Sequence, residues 1–114
     1  MTPLLLSADK QSAGDTNEDL DSARVPENES WRLDHVSAED KTTACTSLRV
    51  GIVRGGVFYP LEEQITVVAA TLYSSVQPVH LLAGQQLRVR FVGTTSADKL
   101  TLIANGVRYP SVGA

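Results

Sequence analysis

The sequence predicts an all-β protein: an antiparallel β-sandwich of jelly-roll type, preceded by an extended N-terminal arm. Three observations predict it. Apolar residues alternate with polar ones at a period of two in several short runs after residue 30. These runs are separated by Gly, Pro, Asn and Asp at regular intervals, the pattern of sandwiches, barrels and jelly rolls. No long segment has the 3.6-residue period of a helix.

Residues 1–29 form the arm in this reading. Leu4, Leu5 and Leu6 make an apolar tip, and only Leu20 and Val25 follow as sizeable apolar residues among Ser, Asp, Gly, Asn and Glu. Such a segment buries too little surface to offset its ordering entropy unaided. All six aromatic residues (Trp31, Phe58, Tyr59, Tyr73, Phe91 and Tyr109) come later. The core is therefore expected in residues 30–114, a length at which a domain alone is only modestly stable.

Within that body, Trp31, Leu33 and His35 are expected on one strand face, with Arg32, Asp34 and Val36 on the other. "SAEDKTTACT" reads as a polar loop. "SLRVGIVR" places Leu48, Val50 and Ile52 inward. Gly55-Gly56 supplies the positive φ of a tight hairpin, and "VFYP" is a return strand stopped by Pro60. "LEEQITVVAATLYSS" alternates weakly. "QPVHLLAG" sets Val79 and Leu81 opposite His80 and Leu82. In "QLRVRFVG", Leu87, Val89 and Phe91 point inward and Arg88, Arg90 and Val92 outward. "KLTLIANG" buries Leu100, Leu102 and Ala104 and ends at Asn105-Gly106, and "VRYP" is a last short strand.

Charge is divided unevenly. Residues 1–29 carry seven acids and two bases; residues 30–114 carry six acids and eight bases. An acidic leader argues against nucleic acid as its target. With Cys45 as the sole cysteine, no intrachain disulfide can form. The N-terminus lacks the basic region of a signal peptide, and no apolar run approaches the ~20 residues of a membrane helix. The expectation is a soluble protein made in the cytoplasm, with no membrane partner.

Catalytic and metal chemistry find little footing. "DTNEDLD" sets Asp15, Asn17, Asp19 and Asp21 at the odd positions of a calcium loop, but Leu20 and Pro26 stand where Gly and a bidentate Glu are required. His35, His80 and Cys45 lack metal-ligand spacing. Cys45 has no neighbouring His to activate it. Glu62 and Glu63, adjacent on a strand, point to opposite faces and cannot act as a carboxylate pair. No catalytic residue, metal ligand or cofactor is assigned.

Arg49, Arg88 and Arg90 all project from the wet faces of their strands and would form a basic stripe if those strands are neighbours. Two readings stay open. The arginines pair with Asp34 or Glu63 as ordinary surface ion pairs, each worth at most ~1 kcal/mol. Alternatively they meet an acidic partner, such as the leader of a neighbouring subunit.

"VPENESWRLDHVSAE", "SLRVGIVRGGVFYPL" and "YSSVQPVHLLAGQQLRVRFVGTTSADKLTLIANG" resemble small bacteriophage virion proteins of the head decoration (cement) and head-fibre type. The likeness spans about residues 25–109, with Pro26 and Trp31, the "PVHLLAGQQLRVRF" strand–turn–strand and "TTSADKLTLIANG" as its main elements. The acidic leader lies outside it. The resemblance implies a non-enzymatic protein on the capsid surface of the virion, bound to the major capsid protein and self-associated as a dimer or trimer. The partner-binding residues expected are Leu4, Leu5, Leu6 and Leu20 of the arm and Arg49, Arg88 and Arg90 of the stripe. The alternative is a receptor- or carbohydrate-binding module of a tail fibre, with Tyr59, Tyr73 or Tyr109 as a sugar platform.

Overall fold

The computed structural model describes residues 2–110. It contains nine strands: β1 (Thr2–Gln11), β2 (Asn17–Asp21), β3 (Glu29–Asp40), β4 (Cys45–Arg54), β5 (Val57–Val67), β6 (Tyr73–Ser74), β7 (Val79–Leu81), β8 (Gln86–Val92) and β9 (Lys99–Pro110). They form two antiparallel sheets. The first runs β1-β9-β3-β6, with β7 also on β3; the second runs β2-β8-β4-β5. β6 and β7 share one position at the edge of the first sheet. The chain crosses between sheets at every connection but two, the β4–β5 hairpin and the β6–β7 link. This is the jelly-roll winding.

The leader is not an arm. β1 pairs with β9 over its whole length, from Thr2↔Arg108 to Gln11↔Lys99. β2 pairs with β8 from Asn17↔Val92 to Asp21↔Arg88. Each leader strand is the outer strand of one sheet, so the body expected over residues 30–114 lacks two of the strands its own fold requires. Leu20 (3% exposed) and Val25 (2%) lie in the core beside Trp31, Phe91 and the inward leucines. The ordering entropy of the leader is offset by ladder hydrogen bonds and by this burial.

The strongest periods fold as their alternation dictates. Leu87, Val89, Phe91, Leu100, Leu102, Ala104, Val79 and Leu81 are all buried. Gly55 and Gly56 take φ of 59° and 77°, as a type I′ hairpin requires. Two bulges redirect the rest. A register shift between Leu33 and His35 turns His35 outward and Val36, Ala38 and Asp40 inward, reversing the expected faces. Gly106 lies across from this bulge, where a Cβ would collide with the Arg32 carbonyl. With Ala38 and Asp40 buried, β3 runs on to Asp40, through the first four residues of the expected "SAEDKTTACT" loop. The second shift lies between Val50 and Gly51, against Pro60. Pro60 therefore does not stop the strand: at a bulge on an edge strand its missing N–H costs no ladder bond, and β5 continues to Val67. β9 likewise passes through Asn105-Gly106 to Pro110.

Candidate functional site

Three regions are set apart by their side chains. The first is the outer face of the second sheet. Alternation along β2, β8, β4 and β5 brings Asp19 and Asp21, Arg88 and Arg90, Arg49, and Glu63 to one surface, with Arg49 directly opposite Arg90. The arginine stripe therefore exists. Arg90 forks onto Asp19, Nε to Oδ1 at 2.8 Å and an NH2 group to Oδ2 at 3.2 Å. Arg88 holds Asp21 in the same way, at 2.7 and 2.9 Å. Arg49 pairs with Glu63. Phe58 lies under both Arg90 and Arg88, at 4.8 and 5.7 Å from ring centroid to guanidinium carbon. The hydrogen bond to Asp21 raises the Arg88 pKa, and that to Asp19 raises Arg90's. The leader does meet the stripe, but within one chain, so the stripe is not free for an acidic partner.

The second region is the outer face of the first sheet. Register aligns Leu5, Asn105 and His35 in one row and Ser7, Ile103, Ser37 and Ser74 in the next. Neither row carries a formal charge with His neutral. Leu5 (72% exposed) and Ile103 (54%) stand on neighbouring strands one row apart. Of the expected leucine anchor, only Leu5 is presented to solvent; Leu4 and Leu6 pack against the core and Leu20 is inside it.

The third comprises two buried polar clusters. Glu18 is 1% exposed. Its carboxylate receives Lys10 Nζ at 2.8 Å, the N–H groups of Ala13 (2.8 Å) and Asp15 (3.2 Å), and Ser12 Oγ at 3.3 Å. The Lys10 hydrogen bond outweighs burial and, with the two N–H groups, holds Glu18 below the usual carboxylate range. This is what "DTNEDLD" builds: a closed turn around an internal carboxylate, while Asp19 and Asp21 face the arginines. Among the described residues, no group of three or more His, Cys, Asp and Glu side chains is arranged to hold a metal ion.

Asp40 and Asp98 are both buried, at 0% and 1% exposure. Asp40 Oδ1 accepts the N–H groups of Thr42 and Thr43, whereas Oδ2 is sealed from solvent with no conventional partner. Asp98 Oδ2 accepts Thr43 Oγ1 at 2.6 Å and Thr95 N–H at 3.1 Å. Burial first, then the Asp98 carboxyl, pushes Asp40 upward. Burial opposes ionisation of Asp98 too, but hydrogen bonds from Asp40, Thr43 and Thr95 prevail and hold it low. The two shifts run in opposite directions, so as pH falls Asp40 takes up its proton before Asp98 does. Burial, with the charges of Asp40 and Asp98, pushes the Cys45 thiol up to about 11, so it stays protonated near neutrality and is no nucleophile. His35 and His80 are exposed on the first sheet, away from this interior thiol. Glu62 accepts from Tyr73 Oη and Val76 N–H while Glu63 turns to Arg49, the opposite-faced arrangement that adjacency dictates.

Tyr59 lies in the second sheet and Tyr73 and Tyr109 in the first, so the three tyrosines do not share a platform. No family model matches the chain, and no curated protein does. Among solved structures, the chain is similar to "CBM4 structure and function" (13% identity, TM-score 0.39, covering 93% of this chain and 83% of that one). It is also similar to Eiger TNF from S. frugiperda (10% identity, TM-score 0.41, 91% and 93%). A third is the N-terminal cellulose-binding domain of Cellulomonas fimi β-1,4-glucanase C (14% identity, TM-score 0.38, 96% and 80%). Likenesses this slight carry no argument about function.

Proposed function

We propose that the chain is a non-enzymatic structural protein of a tailed-phage virion, a decoration protein that docks on the capsid shell. The observation that carries this reading is the outer face of the first sheet, where Leu5 and Ile103 stand exposed within two rows that carry no formal charge with His35 neutral. A regular sheet surface of Ser, Asn and aliphatic groups can meet another protein surface without desolvating charge. The outer face of the second sheet is unsuited to that role, because its charges are matched within the chain. The resemblance of residues 25–109 to decoration and head-fibre proteins supplies the partner class. Many copies on a symmetric shell would add avidity to a modest single contact.

The test is co-sedimentation of the purified chain with expanded capsids of its phage. Wild type should pellet with the shells, and the Leu5→Asp, Ile103→Asp double variant should stay in the supernatant. Leu5→Asp alone, on an edge strand, should weaken binding while leaving the thermal midpoint unchanged. Undiminished binding by folded variants, or absence of the chain from purified virions, overturns the reading. Specific retention on immobilised glycans would point instead to a sugar-binding module.

A further inference from the structure

The unpaired edge of β5 has the features of a self-association surface. β5 is the terminal strand of the second sheet, and among the described residues no turn or loop backbone group bonds to its main chain. Its exposed backbone groups are a template for another strand. Pro60 lacks an N–H, Leu61 is the unpaired residue of the bulge and Thr66 takes a left-handed φ of 56°, so the regular edge runs from Glu62 to Ile65. Ile65 is exposed there, as are Leu61 just before it and Val68, Leu72 and Val76 just beyond. Thr66, Val68, Leu72 and Val76 help line a groove of about 320 Å³ at the end of the strand.

We infer that a second copy of this chain occupies this edge, with β5 pairing antiparallel to β5 across a two-fold axis at Gln64. The register follows from charge and pleat. A continuous antiparallel sheet requires residues on the same face to oppose each other. Centring the axis on Glu63 would set two carboxylates face to face, a destabilising pair. Centring it on Gln64 sets Gln64 opposite Gln64 and Glu63 opposite Ile65, so no like charges meet and Glu63 keeps its own Arg49. The contact is self-complementary, as a two-fold interface must be, and joins two four-stranded sheets into one of eight. It does not rest on the shell-binding reading, which uses the opposite sheet.

Sedimentation equilibrium of the full chain should show a reversible dimer. Leu61→Lys with Ile65→Lys, both at exposed positions, should weaken self-association by about tenfold or more without changing the circular dichroism spectrum. A covalent test covers the case in which that variant misfolds. Directly opposed residues have Cα atoms about 4.5–5.5 Å apart, within disulfide range. Gln64→Cys should therefore form a disulfide-linked dimer under mild oxidation, and Glu63→Cys, two residues out of register with its own copy, should not. Cys45 is buried and does not compete. A wild-type monomer at high concentration, or equal cross-linking at positions 63 and 64, overturns the proposal. Shell binding by Leu5→Asp, Ile103→Asp reports on the other reading separately.

Discussion

The guanidinium of Arg90 closes on both carboxylate oxygens of Asp19, a residue 71 positions away in sequence. Two residues on, Arg88 does the same to Asp21. The two pairs are successive rungs of the β2–β8 ladder on one face, so the i, i+2 spacing of aspartates in β2 matches that of arginines in β8. Between the rungs, Leu20 and Val89 face the core. The acidic β2 of the leader and the basic β8 of the body are thus neighbouring strands of one sheet, and the uneven charge of the sequence is evened out by folding.

These pairs are partly exposed, so their worth is modest. In a double-mutant cycle, Asp19→Ala and Arg90→Ala should couple by ~0.5–1 kcal/mol. Arg90→Ala should cost somewhat more than Asp19→Ala, because it also uncovers the Phe58 ring (4.8 Å). The coupling should shrink in high salt as screening increases. A coupling that salt leaves unchanged would show that the pair is not acting as an ion pair. Urea titrations at two ionic strengths make the measurement.

Leu20 and Leu5 separate a structural leader from a detachable one. Leu20→Ala removes a core side chain (3% exposed) and should cost ~2–4 kcal/mol. Leu5→Ala, on an outward side chain, should change stability by less than ~0.5 kcal/mol. Deleting residues 1–21 strips the outer strand from each sheet and should yield a protein with no cooperative unfolding transition. A truncated chain that melts like wild type would contradict the pairing of β1 with β9 and β2 with β8.

The same residues explain what the sequence made legible. Leu87, Val89 and Phe91 alternate with Arg88 and Arg90, and Leu100, Leu102 and Ala104 with Thr101 and Ile103, so period alone places these strands and faces. The leader defeats that method because two of the three residues that β2 and its preceding turn bury are polar: Ser12 and Glu18 lie inside, held by hydrogen bonds no apolar count detects. A signal was present in Asp19-x-Asp21 set against Arg88-x-Arg90, but it is readable only when the two segments are considered as partners. The faces of β3 fail for another reason: one bulged residue inverts everything after it. Of the expected binding residues, Arg49, Arg88 and Arg90 share a face as foreseen and Arg49 meets the expected Glu63, yet the aspartate partners of Arg88 and Arg90 lie beyond the reach of local pattern.

Glu18 should behave as a structural anion. Glu18→Ala leaves the Ala13 and Asp15 N–H groups and Lys10 without their acceptor and should cost ~2–4 kcal/mol. Because its folded-state pKa is lowered, Glu18 contributes stability that is present above the unfolded-state pKa. That stability is lost as pH falls through the lowered folded value. Glu18→Gln keeps an acceptor oxygen but no charge. It should therefore be less stable than wild type at neutral pH and converge with it in strong acid. Parallel acid-limb stability curves for the two proteins would show that the carboxylate charge is not what the site selects.

Asp40 should impose the opposite slope. Its folded-state pKa is raised, so the stability it contributes is fully present below the unfolded-state pKa. It fades as pH rises through the raised folded value, because both buried carboxylates must then ionise. Asp98, with a lowered value, supplies the complementary loss in acid. The pair is most favourable with one proton bound, between the two folded values. Asp40→Asn retains an oxygen for the Thr42 and Thr43 N–H groups, yet cannot ionise. Thermal midpoints of wild type should therefore decline from mildly acidic toward alkaline pH, and those of Asp40→Asn should decline less. The difference should change sign or narrow as pH rises, with the variant gaining on wild type. If the two proteins lose stability in parallel over that range, Asp40 is not the titrating element.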